Sequence, residues 1–344
     1  MAKRIGILTG GGDCPGLNPA IKGVVYAAEK LGYECVGLAE GWRGLLEGKT
    51  IKLDKKITEY FTEQGGTYIG TSRTNPYKID GAVKKCLKNF KKLKLSALVA
   101  IGGEDTLGVA TKLYKEYKLP VVGVPKTMDN DLSITDYTFG FDTAVTVAAD
   151  AAFRLKDTGK SHRRIMVLEV MGRHAGWVAL FTAITSGADF VCIPEKKIDI
   201  SKMMTKLKAS YKRKKFALVV TSEAAELGDL GKSNKKKDLD QFGHVILKDR
   251  GMGSQIASLI EKETGIETRF AVIGHIQRGG SPTVFDRILS VRVGMQAAKL
   301  IHKKSFGKMA ALVGNKITGV PLHKATGKLK TVDKHWSDLM EILF

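Results

Sequence analysis

The chain is poor in cysteine. Cys14, Cys35, Cys86 and Cys192 are all that its 344 residues contain, and no two form a CxxC pair. That scatter argues against a zinc site or a disulfide framework and predicts reduced thiols in a cytoplasm. A long apolar run is also missing. The longest uncharged stretch, residues 175–188, includes Thr and Ser and is too short to span a bilayer. The first residues, Met1-Ala2-Lys3-Arg4, lead into four apolar-type residues before Thr9 and a glycine cluster, which is not the layout of a signal peptide. No segment is of low complexity, and no internal repeat stands out beyond an alternation of strands and helices.

Acidic residues are the other shortage: 35 Asp and Glu face 56 Lys and Arg, a net charge of +21. A basic surface attracts polyanions, and nucleic acid is the first candidate. The lysines, however, are spread along the whole chain. The two dense runs, residues 212–215 and 235–237, lack the interleaved aromatics on which a single strand would stack. Most of the charge therefore reads as solvated surface, with some field focused on an anionic substrate, and neither a nucleic-acid partner nor a membrane is expected. What is present is ordinary for a soluble protein: 43% hydrophobic and 26% charged residues, in a chain long enough for two domains with separate cores.

Residues 4–9 read as a buried strand, Gly10-Gly11-Gly12-Asp13-Cys14-Pro15-Gly16 as a glycine-rich turn, and residues 17–31 as a helix. Strand, glycine loop and helix together offer backbone N–H groups to phosphate oxygens, although any first βα turn can need glycines. The spacing is neither G-x-G-x-x-G nor G-x-x-x-x-G-K-[ST], so neither a dinucleotide fingerprint nor a Walker loop is present there. Further strands are expected at residues 34–38, 97–101, 120–124, 165–170, 190–193 and 216–221. Helices are expected at 81–92, from Thr106 onward, at 143–155 and at 254–264. Residues 157–164 read as a polar, cationic link and residues 227–248 as an exposed excursion. The repeated strand-then-glycine pattern predicts parallel sheets with loops converging at one end.

Three loops carry candidate chemistry. Gly65 to Arg73 delivers one arginine, suited to a phosphate or to a surface turn. Gly102-Gly103-Glu104-Asp105 places two acids where a helix opens, either as complements to the helix dipole or as holders of a hydrated Mg²⁺. Pro125-Lys126-Thr127-Met128-Asp129-Asn130-Asp131 follows a β-branched run, at the strand end where open α/β folds place their chemistry. Its two carboxylates, hydroxyl and lysine are equipment for handling a proton beside a phosphate; taken alone they are equally the makings of a polar turn.

With these segments in hand, the chain resembles the phosphofructokinase family from end to end. The matching motifs are GGDCPGLN at residues 11–18, IGGEDT at 101–106, PKTMDND at 125–131, MGRHAG at 171–176 and GHIQRGGSP at 274–282. The resemblance implies an α/β fold of two Rossmann-like parallel-sheet domains with the active site in the cleft between them. The expected donor domain comprises residues 1–140 plus about 255–305, and the sugar domain about 141–254 plus 306–344. It implies Mg²⁺-assisted phosphoryl transfer to the 1-hydroxyl of fructose 6-phosphate. Asp129 matches the catalytic base, flanked by Thr127 and Asp131. Met171, Gly172, Arg173 and Glu223 match sugar-binding positions, and His275 and Arg278 the 6-phosphate site. Arg164 and Arg269 match residues that reach the sugar phosphate of a neighbouring subunit, implying a homodimer or homotetramer with shared sites. Gly11, Gly12 and Arg73 match phosphoryl-donor positions and Glu104 a metal position.

Two residues bear on the donor. Relatives using ATP carry glycine where Asp105 and Lys126 stand, whereas relatives using pyrophosphate carry Asp and Lys, as here. The physics agrees. A carboxylate at residue 105 would sit where the α-phosphate of ATP must lie, at roughly 1–4 kcal/mol for a like-charge contact between aqueous and intermediate dielectric. Lys126 would supply a cation to a diphosphate that lacks a nucleoside anchor. Trp42 is a residue that either stacks on an adenine or packs in a core. Tyr26 stands where allosterically controlled relatives carry an effector-binding arginine. Diphosphate is therefore the expected donor. The rivals are ATP, another sugar phosphate such as sedoheptulose 7-phosphate, and a non-catalytic anion binder.

Overall fold

The computed structural model describes residues 3–227 and 251–344. In chain order the elements of the first half are β1 (Lys3–Gly10), α1 (Leu17–Lys30), β2 (Tyr33–Leu38), α2 (Trp42–Glu47), β3 (Thr50–Leu53), α3 (Ala82–Lys92), β4 (Leu95–Gly102), α4 (Glu104–Tyr117), β5 (Val121–Pro125) and α5 (Phe141–His162). There follow β6 (Ile165–Val170), α6 (Trp177–Ser186), β7 (Phe190–Cys192), α7 (Ile200–Lys214), β8 (Ala217–Ser222), α8 (Met252–Thr264) and β9 (Thr268–Val272). The chain closes with α9 (Val284–His302), β10 (Lys308–Val313), β11 (Lys316–Pro321), α10 (Leu322–Ala325) and α11 (Lys334–Leu343). The chain divides into two compact units. Unit 1 comprises Met1–Met128, Leu132–Asp142 and Arg278–Leu329, and unit 2 comprises Asp129–Asp131, Thr143–Gln277 and Lys330–Phe344.

Unit 1 is built on a seven-stranded sheet, ordered β11-β10-β5-β4-β1-β2-β3. Its five inner strands are parallel, and an antiparallel strand closes each edge. The central strands β1, β4 and β5 are almost wholly buried, as their runs rich in Val, Ile, Leu and Ala require of a sheet covered on both faces. Leu8, Leu98, Leu107, Leu113 and Met309 form one core layer, and Trp42 lies within it at 2% exposure. Trp42 is thus core packing and no platform for an adenine. Helices α1 and α9 pack closely because Gly23 and Gly294 carry no Cβ: one added at either would strike the backbone carbonyl of Val291 or Ala20. The carboxyl ends of the three central strands stand level, with Gly10 beside Gly102 and Gly102 beside Pro125. The three loops that follow therefore leave the same edge of the sheet.

Unit 2 is a four-stranded parallel sheet ordered β7-β8-β6-β9, with a core of Val167, Met203, Leu207, Val219, Ile256 and Ile260. The apolar run at residues 175–188 is here the buried helix α6, and no helix among the described residues is long and apolar enough to cross a membrane.

Several boundaries differ from the sequence reading. Helix α4 opens at Glu104 and not at Thr106, so both acids lie in its first turn. Residues 157–162 belong to α5 rather than to a link, because Lys, Asp and Ser are acceptable on the exposed side of a helix. The segment bounds of the two units also depart from the expected ones. Helix α8 and strand β9 build the unit 2 sheet, whereas β10 pairs with β5 in unit 1. Nearly all of the expected excursion at 227–248 lies outside the described residues, as do residues 235–237.

Candidate active site

Two constellations form, one in each unit. In unit 1, β1 ends in a turn where Gly11 has φ +80°, the left-handed region in which glycine is at ease. The Gly11 amide donates to the Ser72 carbonyl (3.1 Å), and the Thr71 hydroxyl donates to the Gly11 carbonyl (2.7 Å). The segment bearing the exposed Arg73 is thereby tied to the glycine turn. At the end of β5, the Lys126 amide donates to the Gly102 carbonyl (3.0 Å) and its Nζ donates to the Gly12 carbonyl. Lys126 is only 4% exposed. Its ammonium stands against the turn, where a Cβ on Gly11 would lie 3.7 Å from Nζ. Arg278 completes the group: its guanidinium fills the space that a Cβ on Gly12 would need.

Between these loops stands Thr106, a buried residue that sequence reasoning passed over. Its side chain occupies the space that the missing Cβ atoms of Gly10 and Gly102 leave open. The two glycines and one threonine let the carboxyl ends of β1 and β4 meet α4 closely, so Glu104 and Asp105, both half-buried, emerge beside the glycine turn. Cys14 shares this environment, and burial pushes its thiol up to about 12 against the pull of Lys126.

In unit 2, β6 and β8 end level, with Val170 beside Ser222. Past those ends, Gly172 (φ +148°) directs its amide toward Glu223 Oε1 (3.4 Å), and its carbonyl accepts from the Ser222 hydroxyl (2.6 Å). The Met171 amide donates to Gln277 Oε1 (2.8 Å), and the fully buried Gln277 donates in turn to the Ala144 carbonyl (3.3 Å). Glu223 is held above the usual carboxylate range. Burial is the main cause, and the Asp129 and Glu169 charges add to it while the Gly172 amide and Arg173 oppose it. Asp129, Arg173 and Glu223 therefore share one electrostatic neighbourhood. Asp129 is half-buried, Asp131 is buried, and Asn130 between them has φ +51°.

Two predicted residues stand apart from that set. Arg164 precedes β6 and Arg269 lies near the start of β9, at the amino ends of strands that span roughly 15–20 Å. Both pair with Glu267, Arg164 at 2.7 Å and Arg269 at 2.6 Å. They cannot reach residues 171–173 or Glu223 of the same unit. His275 is exposed on the short turn Gly274–Arg278. Lys330 was missed by sequence reasoning altogether, since nothing in its local sequence marks it; it bonds to Asn130 and Asp131.

No group of three or more His, Cys, Asp or Glu that could cage a metal occurs among the described residues. Glu104 offers one carboxylate in the first turn of α4; a single carboxylate would suit an ion that keeps its waters and shares substrate phosphates.

Comparisons with known proteins return the family that the motifs resemble. The family model described as phosphofructokinase matches residues 4–301. A relative named pyrophosphate--fructose 6-phosphate 1-phosphotransferase, from Streptomyces coelicolor, is 48% identical over 96% of both chains. The ATP-dependent 6-phosphofructokinase 2 of the same organism is 43% identical over 99% of this chain and 100% of its own. The crystal structure of Pichia pastoris phosphofructokinase in the T-state superposes with a TM-score of 0.83 at 26% identity; it covers all of this chain, which spans 36% of that longer one. Motifs, two parallel-sheet units and whole-length relatives converge on one assignment: the chain belongs to the phosphofructokinase family.

Proposed function

We propose that the protein is a pyrophosphate-dependent 6-phosphofructokinase, transferring a phosphoryl group from diphosphate to the 1-hydroxyl of fructose 6-phosphate. The observation that carries the donor reading is the buried Lys126 ammonium against the Gly11–Gly12 turn, with the Asp105 carboxylate in the adjoining first turn of α4. A diphosphate is short and densely charged. A fixed cation with bare backbone beside it suits such a ligand, and a carboxylate at the next strand end disfavours a further phosphate. The ATP-dependent relative keeps ATP as the second reading. Trp42, buried in the core, lends that reading no support.

In this reading Asp129 takes the proton of the sugar hydroxyl as it attacks, and returns it in the reverse direction. Thr127 and Asp131 set the loop, while Met171, Gly172, Arg173 and Glu223 hold the sugar. Arg278 and His275 serve its phosphate. Gly11, Gly12, Arg73 and Lys126 hold the donor. Mg²⁺ held through Glu104 would neutralise the charge that builds on the transferring phosphoryl group. Most of the work is positioning and charge neutralisation, to which arginine forks and backbone amides contribute.

The distance of Arg164 and Arg269 from residues 171–173 and Glu223 of their own unit supports their serving a neighbouring subunit, hence a homodimer or homotetramer. The exposed apolar residues Phe270 and Val272 on the edge strand β9 are compatible with a partner there. Four buried, free thiols fit a cytoplasmic setting. The test is turnover with fructose 6-phosphate, Mg²⁺ and either pyrophosphate or ATP. Turnover with pyrophosphate is expected, and robust turnover with ATP alone would overturn the donor assignment.

A further inference from the structure

The segment that opens the last stretch of unit 2 bonds to two loops of the site. The Lys330 amide donates to the Asp131 carbonyl (2.8 Å), and Lys330 Nζ donates to Asn130 Oδ1 (3.1 Å). Two residues on, the Val332 amide donates to Glu195 Oε1 (3.0 Å). That same oxygen accepts from the Gly176 amide (2.9 Å), at the end of the MGRHAG motif. Between the two, the Lys330 carbonyl accepts from Trp177 Nε1 (2.8 Å), and Lys330 Nζ lies 5.8 Å from the centre of the Trp177 ring, within cation–π range. Trp336 of α11 packs edge-on against Trp177 at 5.9 Å, so the segment is itself held from behind.

Asn130 is where this hold matters. It is 2% exposed and has φ +51°, a conformation that asparagine tolerates better than most residues but that still needs support. Asp129, the residue assigned to the proton, is its immediate neighbour, so a change of backbone conformation at residue 130 would displace the peptide from which the Asp129 side chain projects. Displacement of a reacting group by about 1 Å can cost about 100-fold in rate.

We infer that Lys330 is a positioning residue for phosphoryl transfer: its ammonium and amide fix the Asp129–Asp131 segment against the loop that carries Arg173. The inference rests on the proposed function for its catalytic consequence.

The test is Lys330→Met, which keeps the stem and removes the ammonium, compared with Lys330→Cys before and after alkylation with 2-bromoethylamine, which restores an ammonium at the same reach. The four native cysteines are buried, so the new thiol is the one alkylated. Lys330→Met is expected to lower kcat about 10–100-fold with KM for both substrates within a few-fold, and alkylation of the cysteine variant is expected to recover most of the loss. Hydrogen exchange should rise across residues 129–132 while that of α4 stays unchanged. A kcat within two-fold of wild type overturns the inference. So does a loss that alkylation leaves in place alongside a lowered Tm. If the wild-type protein turns over neither donor, the functional reading itself fails, and unchanged exchange at residues 129–132 in Lys330→Met then removes the positioning role independently.

Discussion

The two constellations are made of different material. In unit 1 the site is mostly backbone. Gly10, Gly11, Gly12 and Gly102 are glycines because Thr106 and Arg278 occupy the space beside three of them and Gly11 takes a positive φ. The buried Lys126 ammonium and the Arg278 guanidinium supply its positive charge. In unit 2 the site is mostly side chains, and carboxylates crowd it: Asp129, Glu169 and Glu223 are close enough to raise the proton affinity of Glu223, with Arg173 as counter-charge. The difference suits two ligands. A diphosphate offers only anionic oxygens, which amides and one ammonium can bind. A sugar offers hydroxyls, which call for acceptors, and one of those hydroxyls must lose a proton.

The sharpest way to break this comparison is at the proton. Asp129→Asn should lower kcat by about 10²–10⁴-fold with modest change in substrate KM, measured in both directions of the reaction. Near-normal turnover would remove Asp129 from the role of base. Next comes the unit 1 cation: Lys126→Met should raise KM for pyrophosphate and lower kcat/KM by about 10–100-fold, as expected for a lost charge-assisted contact, while KM for fructose 6-phosphate stays close to wild type. If the sugar constant moves instead, the division of labour between the units is wrong.

A smaller effect is expected from Asp105→Gly. The preference for pyrophosphate over ATP, as a ratio of kcat/KM values, should fall by about 5-fold, the equivalent of relieving a like-charge contact worth about 1 kcal/mol in a water-like dielectric. An unchanged ratio would separate Asp105 from donor choice. The smallest concerns stability. The Glu223 carboxyl is raised in the folded state, so the native protein holds this proton more tightly than the unfolded chain does. Its ionisation therefore destabilises the fold at neutral pH, and that penalty is relieved as pH falls through the raised folded value toward the ordinary one. Glu223→Gln should accordingly have a Tm above wild type at pH 7, with the gap narrowing under acid, while KM for the sugar phosphate rises. A lower Tm at pH 7 would mean that the Gly172 hydrogen bond outweighs the burial of the charge.

Much of this was legible in the chain. Strand β6 occupies the residues expected of it because an apolar run broken only by Glu169, preceded by two arginines and followed by Met171 and Gly172, has few alternatives. The glycine turns were legible for the same reason: a glycine after a buried strand marks a place where backbone must come close. Boundaries were harder. The opening of α4 moved from Thr106 to Glu104 because acids in a first turn complement the helix dipole, and α5 ran through residues that looked like a link. Trp42 could not be sorted between stacking and packing until the residues around it were known.

What the sequence determined by itself, then, is the local chemistry: which loops are bare, which carry acids, and where a lysine stands next to a base. Those properties depend on neighbours along the chain. The tertiary structure decided everything that depends on neighbours across it. It set Thr106 into the space left by Gly102 and the distant Gly10, and Arg278 against Gly12. It gave Asn130 its anchor in Lys330, two hundred residues away. It also left Arg164 and Arg269 paired with Glu267, at the far end of their strands from residues 171–173 and Glu223. A hydrogen bond or a filled void between remote residues leaves no periodicity in sequence, and for that reason these relations had to be seen in the fold.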